Sequence, residues 1–190
     1  MNIEPYQAAR LGEAASVLAR AFLSNPLHVA AFGPAPVDRN EVFFKLGLRV
    51  MKGPTFLARD GDRIAGVIHW VTAPLCQFSP WEKLRQVPAM IRGVGPASAA
   101  RLGSWLAAWG RHDPAEPHIH LGPIGVDPAY QGKNVGRLLM EAYCAELDRG
   151  GVKGYLETDR AENVTFYQRF GFQVTREAPV LGVTNYFMTR

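Results

Sequence analysis

Cysteine is nearly absent: 190 residues hold only Cys76 and Cys144, far apart and at no metal-ligand spacing. That scarcity excludes a disulfide-stapled secreted scaffold and gives no expectation of a metal site. Cys144 falls within helical periodicity and reads as a buried free thiol in a reducing cytoplasm. No leader of basic then apolar residues opens the chain, and no apolar run approaches the ~20 residues of a membrane span. A soluble cytoplasmic protein with no membrane partner is expected. Excess charge of one sign is missing as well. The 21 Lys and Arg against 17 Asp and Glu leave a formal net charge of +4, with no basic block, so nucleic acid is not an expected partner. Repeats and low-complexity tracts are absent too. What remains, 47% hydrophobic over this length, predicts one domain, residues 1–190, with a full core.

The apolar pattern alternates between helix and strand periods. Residues 2–6 read as a short strand, and Ala14, Val17, Leu18, Ala21 and Phe22 lie on one face of a helix that Asn25-Pro26 stops. His28, among apolar neighbours, belongs to core or rim. Asp38 three residues before Glu41 predicts a capping box and a helix to about Met51. Thr55 to Arg59 and Arg63 to Val71 read as strands joined by the Asp60-Gly61-Asp62 turn. Residues 74–113 are the least regular, a helical insertion with Pro88, Gly93, Gly95 and Pro96 interrupting it. Its Trp81, Trp105 and Trp109 are core anchors or walls of a binding cleft. Strands follow at 118–126, 154–158, 172–176 and 183–189, with helices between, a mixed α/β (α+β) order rich in antiparallel hairpins.

One stretch organises the rest. The apolar run Ile119 to Val126 leads through Pro128 into Gln131-Gly132-Lys133-Asn134-Val135-Gly136-Arg137, and then into a helix carrying Leu139, Met140, Tyr143 and Leu147 on one face. A strand, a glycine turn and a helix start present free amides and the positive dipole end to an anion. Lys133 and Arg137 add charge beside it. On the residues alone, a plain connection and a phosphate site are both open. The P-loop ending Gly-Lys-Ser/Thr is absent, and so is the G-x-G-x-x-G spacing of dinucleotide folds. A second patch follows: Asn163 and Tyr167, four apart, share a helix face, either as a cap and a core ring or as site residues.

Together the two patches resemble the GCN5-related N-acetyltransferases. The resemblance rests on Val126-x-Pro128-x-Tyr130-Gln131-Gly132-x-x-x-Gly136 and Asn163-x-x-x-Tyr167-x-x-x-Gly171-Phe172, and covers Ile119 to Val174 closely. His118-x-His120-Leu121 and Tyr155-Leu156-Glu157-Thr158 are more weakly similar to the branch containing puromycin acetyltransferase. The resemblance implies a mostly antiparallel sheet of about six to seven strands flanked by helices, with the cofactor-binding core at about 118–174. It implies acetyl-CoA as cofactor. The amides of Gln131, Gly132, Lys133, Asn134, Val135, Gly136 and Arg137 would hold its diphosphate, and Ile124, Gly125 and Val126 would pair with the pantetheine arm. Asn163 would contact the arm from the other side, and Tyr167 would protonate the departing thiolate. Asn134 stands where the family has glycine, and Asn is the side chain that best tolerates left-handed backbone.

The implied activity is direct transfer of acetyl to a primary amine of a small molecule or peptide in a ternary complex. The alternative is an acetyl-CoA-binding sensor without turnover. Homodimerisation stays open. For the base that deprotonates the amine, His118, His120, Glu82, Asp113 and Glu157 are candidates, and His120, on one strand face with His118, is chosen as a neutral imidazole titrating near ~6.5.

Overall fold

The apolar runs become seven strands of one mixed sheet in the computed structural model, which describes residues 1–190. The strands are β1 (Asn2–Pro5), β2 (Thr55–Asp60), β3 (Arg63–Thr72), β4 (His118–Val126), β5 (Lys153–Thr158), β6 (Gln173–Val180) and β7 (Val183–Thr189). They lie in the order β1-β2-β3-β4-β5-β7-β6. Every neighbouring pair is antiparallel except β4–β5, which is parallel. The helices are α1 (Leu11–Ala21), α2 (Pro26–Phe32), α3 (Val37–Val50), α4 (Pro80–Val94), α5 (Pro96–Gly110), α6 (Val135–Gly150) and α7 (Ala161–Gln168). None is long and apolar enough to cross a membrane.

Both sheet faces are covered, which explains why β3 is buried from Ile64 to Val71 without alternation. On one face Leu139, Met140, Tyr143 and Leu147 of α6 pack against Ile68, Trp70, Ile119 and Leu121. On the other, Ala14, Val17 and Leu18 of α1 and Phe44 of α3 pack against Leu57 and Val67. Each large side chain so buried contributes roughly 1.5–3 kcal/mol. A third cluster joins Leu27 and Phe32 of α2 to Leu102 and Trp105 of α5 and Val180 of β6.

The central feature is where β4 and β5 part. Their parallel pairing covers only His118–Lys153, Ile119–Gly154 and His120–Tyr155. Beyond it β5 stays with β7, while β4 runs on to Val126 beside β3 alone. Between Trp70–Leu121 and Ile68–Ile124, three steps along β4 match two along β3, so β4 bulges at Gly122-Pro123. Pro123 also removes an amide that a ladder would need. Below the fork the Tyr143 hydroxyl donates to the Ile119 carbonyl at 2.6 Å and lies 3.5 Å from that of Tyr155.

One expectation is corrected and two are made definite. The capping box at Asp38 does not form: α3 starts at Val37 after Pro36, whose φ of −83° is already near helical, and Asp38 sits inside the first turn. The capping box is at α4 instead, where Ser79 and Glu82 exchange hydrogen bonds. The stretch 74–113 is more regular than its glycines and prolines suggest, since α4 and α5 are 15 residues each and α4 carries Pro88 inside it. Of its tryptophans, Trp105 is core, Trp109 is half-buried with its indole N–H on Asn185 Oδ1 at 2.9 Å, and Trp81 is 65% exposed.

His28 is a core residue. Its ring lies among Phe22, Phe32, Phe43, Phe44 and Trp105, and its Nδ1 is 2.8 Å from Asn40 Oδ1. Burial lowers its pKa to about 4, against the smaller opposing effect of Asn40. The unfolded chain therefore binds a proton below pH ~6.5 that the folded chain refuses down to about 4, so stability falls as pH falls through that window. His28→Gln keeps a partner for Asn40 and does not titrate. Urea denaturation at pH 7 and pH 5 should show the wild type losing about 2 kcal/mol more than this variant. Equal losses would mean that His28 is not buried neutral.

Candidate active site

The strand-to-helix loop is held by side chains that set its backbone. After β4, Asp127 Oδ1 accepts the Ala129 amide at 2.9 Å and its Oδ2 accepts Arg20 Nε at 3.1 Å, anchoring a short 3-10 turn at Pro128–Tyr130 to α1. Gly132 then takes φ +74° and Asn134 takes φ 62°, both left-handed. Asn134 thus adopts the geometry expected of it, with no side-chain cap on α6, and the amides opening that helix have no partner from a preceding turn. They border a cavity of about 690 Å³ lined by Val126, residues 130–132 and 134–137, Glu141, Phe166, Arg169 and Phe170.

Two details depart from the expected charge pattern. Arg137 lines the cavity but pairs with Glu141 at 2.7 Å, and the Lys133 ammonium lies 5.1 Å over the Tyr130 ring. Arg169 lines the cavity as well, missed in the sequence although it directly follows the Tyr167 helix. A Cβ on Gly136 would meet only ordinary contacts, Phe166 Cζ at 3.5 Å and Val126 Cγ2 at 3.7 Å. Nothing in the fold itself therefore requires glycine there, and its bareness serves the cavity. Gly125 is the opposite case: a Cβ would sit 2.8 Å from Leu18 Cδ2 and 3.0 Å from Ala21, so close packing of α1 on β4 accounts for it.

Ile124, Gly125 and Val126 lie on the part of β4 that has no partner on the β5 side. A second cavity, about 140 Å³, lies at the fork end of that segment, between Lys52, His69, Val71, Cys76, Phe78, His120 and Gly122. The unpaired edge therefore runs from one cavity to the other.

Across the fork, Asn163 is in the first turn of α7 and its Nδ2 donates to Thr158 Oγ1 at 3.3 Å. Tyr167, one turn on, is 6% exposed, and burial followed by the nearby Asp159 raises its pKa, so the phenol holds its proton firmly. Asp159 itself accepts the Leu27 amide at 2.6 Å and Asn25 Nδ2 at 2.7 Å, fixing α2 against the connection into α7.

The five candidate bases separate clearly. Glu82 is engaged by Lys52 and by Ser79, which lower its pKa to about 2, and it is the capping partner of Ser79 at the start of α4. The other four gather at the fork. His120 Nε2 lies 2.8 Å from Glu157 Oε2 and its Nδ1 lies 3.2 Å from Asp113 Oδ1. Burial disfavours its charge, yet Glu157 and Asp113 raise its pKa well above the ordinary range. The expected neutral imidazole is thus corrected: a carboxylate lies against each nitrogen, and the pair favours the charged ring. His118 is buried, and its Nδ1 is 2.8 Å from the Glu116 carbonyl.

Known proteins are similar to this chain in sequence and in fold. The N-alpha-acetyltransferase RimI of Mycobacterium tuberculosis is 43% identical over 82 residues, a match spanning 42% of this chain and 45% of that relative's length. Among solved structures, a Corynebacterium glutamicum protein described as histone acetyltransferase HPA2 and related acetyltransferase aligns with TM-score 0.74 and 22% identity, over 99% of this chain and 94% of its own. A Brucella melitensis GNAT family acetyltransferase, solved with acetyl-CoA, aligns with TM-score 0.54 and 18% identity over 100% of this chain and 86% of its own. At such identities the structures speak for the fold. The family model described as "Acetyltransferase (GNAT) family" matches residues 24–172, and with the glycine turn at the head of α6 and the forked sheet in place, the chain belongs to the GNAT acetyltransferases.

Proposed function

We propose that this protein transfers an acetyl group from acetyl-CoA to a primary amine of a small molecule or peptide, directly and in a ternary complex. The observation that carries the reading is the unpaired β4 edge joining two cavities, one rimmed by a helix start and one beside the fork. Family membership supports it, as does the name of the RimI relative, an N-alpha-acetyltransferase.

The residues fit the cofactor. The unpartnered amides of Val135, Gly136 and Arg137 at the head of α6 border the cavity of about 690 Å³, and a side chain at Gly136 would fill part of it. When bound, acetyl-CoA supplies the activated thioester. The edge of β4 at Ile124 to Val126 pairs with an extended arm as an added strand would, and its amides polarise a carbonyl laid against them. Asn163 closes the arm's other side from α7. Tyr167 keeps its phenolic proton until sulfur leaves, then delivers it. The amine approaches through the 140 Å³ cavity, whose walls include His69 and His120. His120 belongs to that wall rather than to proton removal, and the amine arrives neutral after losing its proton to water. Asn134 takes the left-handed conformation that glycine would take, so the loop keeps its form and supports turnover over a binding-only role.

Two outcomes test the assignments. Gly136→Leu should leave the unliganded fold intact, because the added side chain projects into the cavity. Wild type should gain about 2.7 kcal/mol at coenzyme concentrations 100-fold above Kd, and the variant should gain none. Equal melting shifts in the two proteins would place the coenzyme elsewhere. Tyr167→Phe removes a hydroxyl with no hydrogen bond inside the chain, so stability should hold while kcat falls by ~100-fold or more. Assayed by thiol release over a panel of small amines and N-terminal peptides, an unchanged kcat would return Tyr167 to a packing role.

A further inference from the structure

Beside the fork, four side chains from three segments turn their donor atoms toward one point. Cys76 follows β3, Asp113 follows α5, and His118 and His120 lie on β4. The sulfur, one carboxylate oxygen and a nitrogen of each ring all lie within 4.8 Å of one another. Cys76 Sγ is 3.5 Å from Asp113 Oδ2 and 4.0 Å from His118 Nε2, and His120 Nδ1 is 3.2 Å from Asp113 Oδ1. Tetrahedral bonds of about 2.0–2.3 Å separate neighbouring donors by about 3.3–3.8 Å. The cluster is already near the size of a zinc shell.

Hydrogen bonding inside the cluster is incomplete in a telling way. Asp113 Oδ1 and His120 Nδ1 are buried, face each other, and make no aligned hydrogen bond to any group. The Asp113 side chain is only 9% exposed, and at that depth a 3.2 Å contact without an aligned hydrogen bond leaves both atoms poorly satisfied. A proton shared between His120 and its two carboxylates would charge the ring, but it would not explain the misaligned Nδ1. Nor would it explain a thiol directed at Asp113 and His118.

Both rings are also oriented from behind. The Glu116 carbonyl takes the Nδ1–H of His118 at 2.8 Å, which leaves its Nε2 lone pair on the cluster. Glu157 takes the Nε2–H of His120 at 2.8 Å, which leaves Nδ1 facing Asp113. A carbonyl or carboxylate on the far nitrogen is how metal-ligating histidines are held in the right tautomer. Gln77 donates to Asp113 Oδ2, leaving Oδ1 as the free donor.

We propose that Cys76, Asp113, His118 and His120 bind one Zn²⁺ ion in a closed four-ligand site. One thiolate, two imidazoles and one carboxylate form a borderline-soft set that suits zinc better than magnesium or calcium. Binding displaces the Cys76 thiol proton and any proton on His120 Nδ1 to solvent. Cys76 stands at the start of the α4–α5 excursion and Asp113 at its end, so the ion ties both ends to β4 at the acceptor cavity. Four protein ligands leave no open position, which makes the site structural rather than catalytic. It stands independently of the acetyl-transfer reading.

The test uses the full chain, stripped with a chelator and then titrated with metal alone. Zn²⁺ should bind with a stoichiometry of one by calorimetry and raise the melting temperature. Co²⁺ in its place should give a thiolate-to-metal charge-transfer band and the d–d spectrum of a tetrahedral site. Cys76→Ser should abolish the charge-transfer band, whereas Cys144→Ser, which alters the other, helix-buried cysteine, should keep it. His118→Ala should lose stoichiometric zinc. Should either variant fail to fold by circular dichroism, protection of Cys76 from alkylation in zinc-loaded wild type decides the matter. A folded wild type that takes up no zinc, shows no charge-transfer band or leaves Cys76 open to alkylation in excess zinc would overturn the proposal.

Discussion

The parallel contact between β4 and β5 lasts for three residue pairs and then ends, and the rest of the molecule is arranged around that ending. A sheet interior does not tolerate unpaired backbone, so the separation has to be maintained by something on each side. On the β4 side it is Pro123 and the bulge at Gly122, with α6 packed beneath and Tyr143 bonded to the Ile119 carbonyl. On the β5 side β7 holds the opposite edge from Tyr155 to Thr158, which keeps β5 in the sheet where β4 leaves it. The result is a strand edge, half-buried along most of its length, that is short of one partner. On the proposed reading, an extended ligand arm would pair with such an edge as an added strand.

The glycine turn depends on the same frame. Its amides are useful only if α6 starts at the end of β4, and Arg20 to Asp127 holds that junction to α1. The charges around it matter less than their number suggests, since Arg137 is paired and the flanking cations are exposed to screening solvent. Backbone direction, rather than net charge, makes the cradle.

What could be read in the sequence was whatever depends on near neighbours. The helix stripes, the Asn134 turn and the pairing of Asn163 with Tyr167 on one helix face follow from local spacing, and these features stand in the structure. The fork could not be read, because it arises where β4 and β5 part after pairing residues thirty-five apart in the chain. The gathering of Cys76, Asp113, His118 and His120 is likewise tertiary, and only the His-x-His pair had a spacing to notice. The state of His120 was misread for the same reason, since the carboxylates on both its nitrogens come from other segments. Asp38 shows the local limit: a capping pattern loses when a proline two residues earlier has already turned the chain.

The central claim is that the free edge of β4 and the head of α6 together hold one extended ligand. Residue-resolved amide hydrogen exchange, measured by NMR with and without acetyl-CoA, tests it most directly. The account predicts that protection appears along Ile124 to Val126 and from Gly132 to Arg137 in one step, with the same dependence on coenzyme concentration. Protection of the α6 amides while the β4 edge exchanges unchanged would contradict it, leaving an anion site that the fork does not serve.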